Sequence, residues 1–168
     1  GLMSQAIAKR LRVLHPERLF VAGLLHDIGT LLVNRRYPEI AEETIRASRG
    51  DEHLLRALER QELGFDHAQL GGLMLNNWRL PPTIADAISF HHAPQEAERA
   101  PVDAAILHVA DTIANFSGTG SFCEMVAPTA DFDRQVLGAL GLPVDFDADE
   151  LMDEVDRQFV ETIYLLVT

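Results

Sequence analysis

The chain has 168 residues, 47% of them apolar and 24% charged, with a formal net charge of −12; this is a globular mixture long enough to bury a sizeable core as a single domain over 1–168. The acidity argues against binding a nucleic-acid phosphate backbone, which needs clustered Lys and Arg, and leaves basic protein partners or a metal-held anion open. No apolar run reaches the roughly 20 residues that span a bilayer, no signal-peptide pattern opens the chain, and the lone cysteine, Cys123, excludes an internal disulfide framework and points to a reducing cytoplasm.

Nearly every segment repeats its apolar residues at helical spacing. Ser4 is expected to cap a first helix carrying Ile7, Leu11 and Leu14. Pro16 suits the first turn of a second helix, which should continue to about Asn34. A third begins near Pro38 and stops at Gly50; Asp51 caps a fourth, with Leu54, Leu55 and Leu58, that ends at Gly64. Asp66 caps a fifth through Trp78, and Pro81 and Pro82 open a sixth that leads to His91 and His92. A seventh covers about Val102 to Phe116, followed by a loop, "SGTGSFCEMVAPTA". A short helix at about Arg134 to Leu140 precedes a last one carrying Leu151, Val155, Phe159 and Ile163. With no convincing strand, repeat or linker, the expected fold is an all-α helical bundle.

Several polar residues interrupt these apolar faces. His26 and Asp27 lie within "GLLHDIGTLL", where helical spacing surrounds them with Leu24, Leu25, Ile28, Leu31 and Leu32. A helix apolar on all sides belongs in a core, where polar groups must be paired or bind a metal. His67 falls in the first turn after the Asp66 cap, His91 and His92 end the proline-started helix, and Asp111 lies among Leu107, Ala110 and Ala114. Taken singly, a histidine near an apolar face is usually satisfied by ordinary hydrogen bonds, and a lone Asp on a helix by the dipole or a cap. Together these residues offer imidazoles and carboxylates from four helices, the donor set of a divalent metal such as iron, manganese, zinc or nickel.

"FVAGLLHDIGTLLV" (Phe20 to Val33), "LGFDHAQLGGLMLNNWRLPPTIADAISFHHAP" (Leu63 to Pro94) and "ILHVADTIAN" (Ile106 to Asn115) resemble, in this order, the conserved blocks of the HD superfamily of metal-dependent phosphohydrolases, and more closely its HDOD branch, the HD-related output domains. The resemblance covers roughly residues 4–116 and implies an HD-domain-like bundle, with 117–168 as a loop and C-terminal helices beyond it. Carried over position by position, it places the metal-ligand pattern on His26, Asp27, His67, His91, His92 and Asp111. In an enzyme, Asp27 would be the catalytic carboxylate that orients the nucleophile.

The departures from the family pattern are specific. The helix before the H-D pair, "MSQAIAKRLRVL", lacks the upstream histidine of HD phosphohydrolases. Thr30 stands where related cyclic-dinucleotide phosphodiesterases carry a phosphate-contacting Lys, and "HHAPQEAERAPVD" lacks their G-Y-P motif. The further helical half that usually precedes this region in HDOD proteins is absent from the sequence. The resemblance therefore implies a bacterial, cytoplasmic signal-transduction output or scaffold domain that binds signalling proteins, with a retained metal constellation and weak or no catalysis. The alternative is a metal-dependent phosphohydrolase acting on a nucleotide or cyclic dinucleotide. A homodimer is compatible with either.

Other features carry less. "DFDADELMDEVD" (Asp145 to Asp156) alternates acids like a calcium loop but has Glu150 and Asp156 where that loop needs Gly and Glu; an acid-rich helix start explains it better. His15 and His53 are expected at the surface, and His108 either beside Asp111 as a supporting partner or exposed. "GTG" at Gly118 to Gly120 is too short for a phosphate loop, and Cys123 has no basic motif beside it.

Overall fold

In the computed structural model, which describes residues 1–117 and 132–167, the chain is all-helical, and no strand occurs among the described residues. The order is α1 (Leu2–Arg10), α2 (Glu17–Leu25), α3 (Ile28–Arg36), α4 (Pro38–Ser48), α5 (Glu52–Leu63), α6 (His67–Asn77), α7 (Pro82–Ser89), a 3-10 turn (Pro94–Glu96), α8 (Pro101–Phe116), α9 (Arg134–Ala139) and α10 (Asp149–Val167). Apart from Ser117, the expected loop after α8, with Gly118 to Gly120 and Cys123, lies outside the described residues.

Local chemistry sets most boundaries. Asp51 accepts the backbone N–H of Leu54 at 3.0 Å and starts α5. Asp66 and Gln69 form a reciprocal capping box at the start of α6. Arg49 and Gly50 both adopt positive φ, 51° and 81°; this tight left-handed turn reverses the chain from α4 into α5.

The N-terminal region departs from expectation. Ser4 lies inside α1 and is buried, and Gly1 occupies the cap position. The helix stops at Arg10 because Arg12 and His15 turn left-handed, which leaves Leu14 80% exposed rather than on an inward stripe. The continuous second helix is in fact two. The break falls on His26 and Asp27, where Asp27 has φ −99° and ψ 17° and α3 restarts through a Thr30 N–H to Asp27 carbonyl bond of 3.0 Å. Nor is the segment apolar on all sides in a core: Leu24 is 68% and Leu31 65% exposed.

The break is tied to packing. A Cβ on Gly29 would run into the carbonyl oxygen of His67 and approach the backbone nitrogen of Gly71 to 2.8 Å. Only glycine lets α3 lie this close to α6, and the contact brings the first turns of both helices together.

Helix α8 is the central element. Ala104, Ala105, Ile106, Leu107, Val109, Ala110 and Ile113 are all buried, so it is apolar around most of its circumference. One side joins Ile7, Leu19, Leu137 and Leu151 in a cluster fed by α1, α2, α9 and α10. The other joins Leu75, Ile84 and Ile88 from α6 and α7. Each such fully buried Leu or Ile contributes about 1.5–3 kcal/mol relative to exposure. The stripe of α10 is shorter than its spacing suggests: Leu151 is buried and Val155 packs beside it, but Phe159 is 55% exposed. The side chain of Ile163 lies outside the described residues.

Candidate metal centre

The six His and Asp residues singled out by the sequence meet in one place. His26 follows the end of α2, Asp27 precedes α3, His67 is the first residue of α6, His91 and His92 follow α7, and Asp111 projects from the middle of α8. His26 Nε2 lies 3.3 Å from both Asp27 Oδ2 and Asp111 Oδ1. Asp27 Oδ1 lies 3.6 Å from His67 Nε2 and 4.0 Å from His91 Nε2. His67 Nε2 and His92 Nε2 are 3.0 Å apart.

The helix break serves this arrangement. Asp27 holds the N-cap position of α3, but its side chain accepts no capping hydrogen bond. The carboxylate is turned into the cluster instead. An uninterrupted helix would carry it past His67 and His91 on a continuing spiral.

Outer hydrogen bonds fix the imidazole rings. His26 Nδ1 donates to the Gly23 carbonyl at 2.8 Å, and His91 Nδ1 donates to the Ile88 carbonyl at 2.7 Å. A carbonyl can only accept, so Nδ1 carries the proton and Nε2 turns inward with its lone pair whenever the ring is neutral. His67 Nδ1 donates to Glu59 Oε2 at 2.8 Å, and the same oxygen accepts the His67 backbone N–H at 2.9 Å. Such a carboxylate behind an imidazole is the usual support of a metal-bound histidine. His108 Nδ1 donates to the His91 carbonyl at 2.9 Å; it braces the His91 backbone rather than Asp111.

Arg56 and Asp66 form a buried link beneath the cluster. Asp66 Oδ2 lies 3.3 Å from Arg56 Nε and 2.6 Å from Arg60 Nη2, and Arg56 Nη1 donates to the His92 carbonyl at 3.3 Å. The start of α6 and the turn after α7 are thus held by one guanidinium. Burial opposes the Asp66 charge, but the Gln69 N–H and the two guanidiniums prevail and hold its carboxyl below the ordinary 3.8.

Charge in the cluster is strongly perturbed. Burial disfavours the His26 cation, yet Asp111 and Asp27 outweigh it and raise the imidazole to about 11. Burial likewise works against ionised Asp27, but His26, His67 and His91 hold that carboxyl below its ordinary value. His91 is pushed down to about 4 by burial and the His26 charge, and His92 falls well below normal for the same kind of reason. His67 is raised: burial opposes protonation, but Glu59 and Asp27 favour it.

These groups fit a divalent cation. Among the buried side-chain atoms of the described residues, His26 Nε2, Asp27 Oδ1 and His91 Nε2 have no hydrogen-bond partner. Buried polar atoms are rarely left so, and these three face one another, with the outer hydrogen bonds of His26 and His91 already made. Atoms of Asp27, His67, His91 and His92 lie within 4.8 Å of one another, as do those of His26, His91 and Asp111. Four imidazole nitrogens and two carboxylates suit iron, manganese, zinc or nickel alike.

Two acids escaped the sequence reading. Glu59 is 3% exposed behind His67. Its one signal was its place four residues after Leu55 on the inward face of α5. Glu52 opens α5 and sends Oε1 to 3.4 Å from His92 Nε2. Burial and the charges of Asp111 and Asp27 raise its carboxyl to about 9. Conversely, His15 and His53 are at the surface, as expected. In the acid-rich run, Asp147 accepts the backbone N–H of Asp149 at 2.9 Å beside the start of α10.

The family model for the HDOD domain matches residues 1–94, more than half of the chain. The chain belongs to the HDOD family. Asp111 lies beyond the matched segment and joins the HDOD constellation through the geometry of α8. A curated relative, an uncharacterised protein of Treponema pallidum (strain Nichols), is 33% identical over 84 residues, covering 46% of this chain and 16% of that protein. A solved Shewanella amazonensis SB2B protein whose phosphohydrolase label is provisional is 28% identical, with a TM-score of 0.67, over 92% of this chain and 55% of its own. A Geobacter sulfurreducens HDOD domain protein of unknown function, 24% identical, shares the fold with a TM-score of 0.70 over 95% of this chain and 56% of its own. The chain thus spans about a sixth of that curated relative and little more than half of these solved structures. Among the described residues, no helix is long and apolar enough to cross a membrane.

Proposed function

We propose that this HDOD chain is a cytoplasmic signalling output domain built around a working divalent-metal centre, with His26, Asp27, His67, His91, His92 and Asp111 as ligands. The observation that supports metal binding is the set of orphaned inward atoms, His26 Nε2, Asp27 Oδ1 and His91 Nε2, with both imidazoles fixed by outer hydrogen bonds. Output by protein binding is favoured by how little Thr30 and Arg56 offer a substrate phosphate. Thr30 stands at the phosphate-lysine position, and Arg56 is committed to Asp66 and the His92 carbonyl. The net charge of −12 suits a basic protein partner, and a homodimer is equally compatible.

A second reading, phosphoester hydrolysis of a nucleotide or cyclic dinucleotide, is favoured by one observation. The cluster lies near the surface, since the side chains of His26 and Asp27 are each 24% exposed. A bound divalent cation would there supply Lewis acidity and a water of lowered pKa. The chain's own part would be for Asp27 to orient the attacking water, and for Glu59, Gly23 and Ile88 to hold the imidazoles.

Elemental analysis of untagged protein, beside Asp27→Ala, tests the metal centre; about one or two equivalents lost in the variant are expected. A phosphoester screen of the loaded protein separates the readings. Hydrolysis that vanishes in a folded Asp27→Ala protein would replace the first reading by the second. A well-folded protein that takes up no iron, manganese or zinc overturns both.

A further inference from the structure

Glu52 is not among the positions that the family pattern assigns, and its local role in α5 is already filled. The helix start is capped by Asp51 through the Leu54 N–H, so Glu52 is not needed there. An acid in a first helical turn ordinarily points to water, where it favours the dipole at little desolvation cost. Glu52 instead turns inward. Its Oε1 lies 3.4 Å from His92 Nε2, with the side chain 31% exposed. One oxygen of Glu52, one of Asp111 and a ring nitrogen of His92 converge within 4.8 Å of one another.

Two carboxylates so close together need a proton or a cation between them. Donor arithmetic favours the cation. Asp27, His67 and His91 make a three-donor group, enough for one ion whose remaining position water fills. That leaves His92, Asp111 and Glu52, with His26 beside them, for another. Seven donor side chains exceed the six positions of an octahedral ion, so they are too many for one centre.

We propose that Glu52 is a metal ligand, holding a second divalent cation together with Asp111 and His92. It thereby adds, from α5, a donor to a site whose α1 offers no histidine. This inference rests on the metal-centre reading above and adds a position and a residue to it.

The test is a Co²⁺ titration of chelator-stripped full chain, followed by calorimetry and visible absorption, for wild type, Glu52→Gln and Asp27→Ala. Circular dichroism with chelator present checks each fold. Wild type is expected to bind two equivalents. Glu52→Gln should keep one and bind the second at least 10-fold more weakly, with a changed ligand-field spectrum. Glu52→Asp keeps the helix-start charge but falls short by one methylene. It should show the same selective loss and serves as the decisive variant if Glu52→Gln does not fold. A Glu52→Gln protein identical to wild type in stoichiometry, affinity and spectrum overturns the role of Glu52 and leaves the metal centre standing, as does a wild type that binds a single equivalent indifferent to Glu52. A wild type that binds no Co²⁺ overturns the metal centre itself, and this inference with it.

Discussion

Glu59 grips His67 twice: its Oε2 accepts both the ring Nδ1–H, at 2.8 Å, and the backbone N–H, at 2.9 Å, with both side chains almost wholly buried. One carboxylate therefore fixes the ring's tautomer and the start of α6 together. Glu59→Gln keeps the shape but replaces a charged acceptor by a neutral amide. Metal affinity is expected to fall about 10–100-fold with the fold retained, as read by metal titration. Glu59→Ala strands two buried donors and should also lower stability, by about 1–3 kcal/mol for each, in denaturant unfolding.

Gly29 tests whether helix contact builds the site. Its missing Cβ is what allows α3 to touch the His67 carbonyl. Gly29→Ala is expected to destabilise by at least about 1–3 kcal/mol, the usual cost of forcing a methyl group into packed space. It should also weaken metal binding, because α3 and α6 must part and take Asp27 away from His67. Retained wild-type stability and metal affinity in Gly29→Ala would refute this.

Saturating metal should raise the thermal midpoint of the wild type. A ligand at 100 times its Kd adds about 2.7 kcal/mol when it binds only the folded state. Asp27→Ala removes the carboxylate that faces both His67 and His91, so its midpoint should respond to metal or chelator much less than that of the wild type. Parallel melts of the two proteins give the answer.

Asp66 should make the metal-free protein acid-sensitive. Its carboxyl lies below the ordinary 3.8 because, against the cost of burial, the Gln69 N–H and the Arg56 and Arg60 charges favour the ionised form. A carboxylate with a depressed folded-state pKa adds stability that is complete above the unfolded value and is lost as pH falls through the folded one. That contribution should therefore be full at neutral pH and begin to fall only below about pH 4. Asp66→Asn leaves Arg56 short of its counter-charge and is expected to cost on the order of 3 kcal/mol at pH 7. The difference from wild type should shrink as the pH is lowered towards 3 in denaturant titrations with chelator present.

The legible parts of this protein are those whose cause is local. Asp51 and Asp66 announce the starts of α5 and α6 because each caps its own helix. Pro82 and Pro101 lie at the starts of α7 and α8 for the same kind of reason. The break at His26 and Asp27 was hidden because its cause is not local. The apolar spacing continues through it from Leu24 to Leu32, and the interruption goes with the contact of Gly29 and His67 across two helices. The six His and Asp residues could be picked out because polar groups on apolar stripes are unusual and the blocks around them resemble a family. Glu52 and Glu59 could not, since acids on a charged helix such as α5 are common and only its packing turns these two inward.

Of the residues lining the site, Asp111 alone comes from the middle of a long helix; His26, Asp27, Glu52, His67, His91 and His92 sit at helix ends or in the turns beside them. Helix ends are where hydrogen-bond ladders fray first. An ion bound there would be a cross-link between those ends, closing the stretch of chain from position 26 to position 111 around α8. Its loss should be felt as breathing rather than collapse. Amide exchange would quicken at 26–29, 52–55 and 67–70 and in the turn at 90–93, while the centre of α8 keeps its protection. Helix ends that loosen or tighten with one small ion would give this HDOD chain two states that differ at those ends.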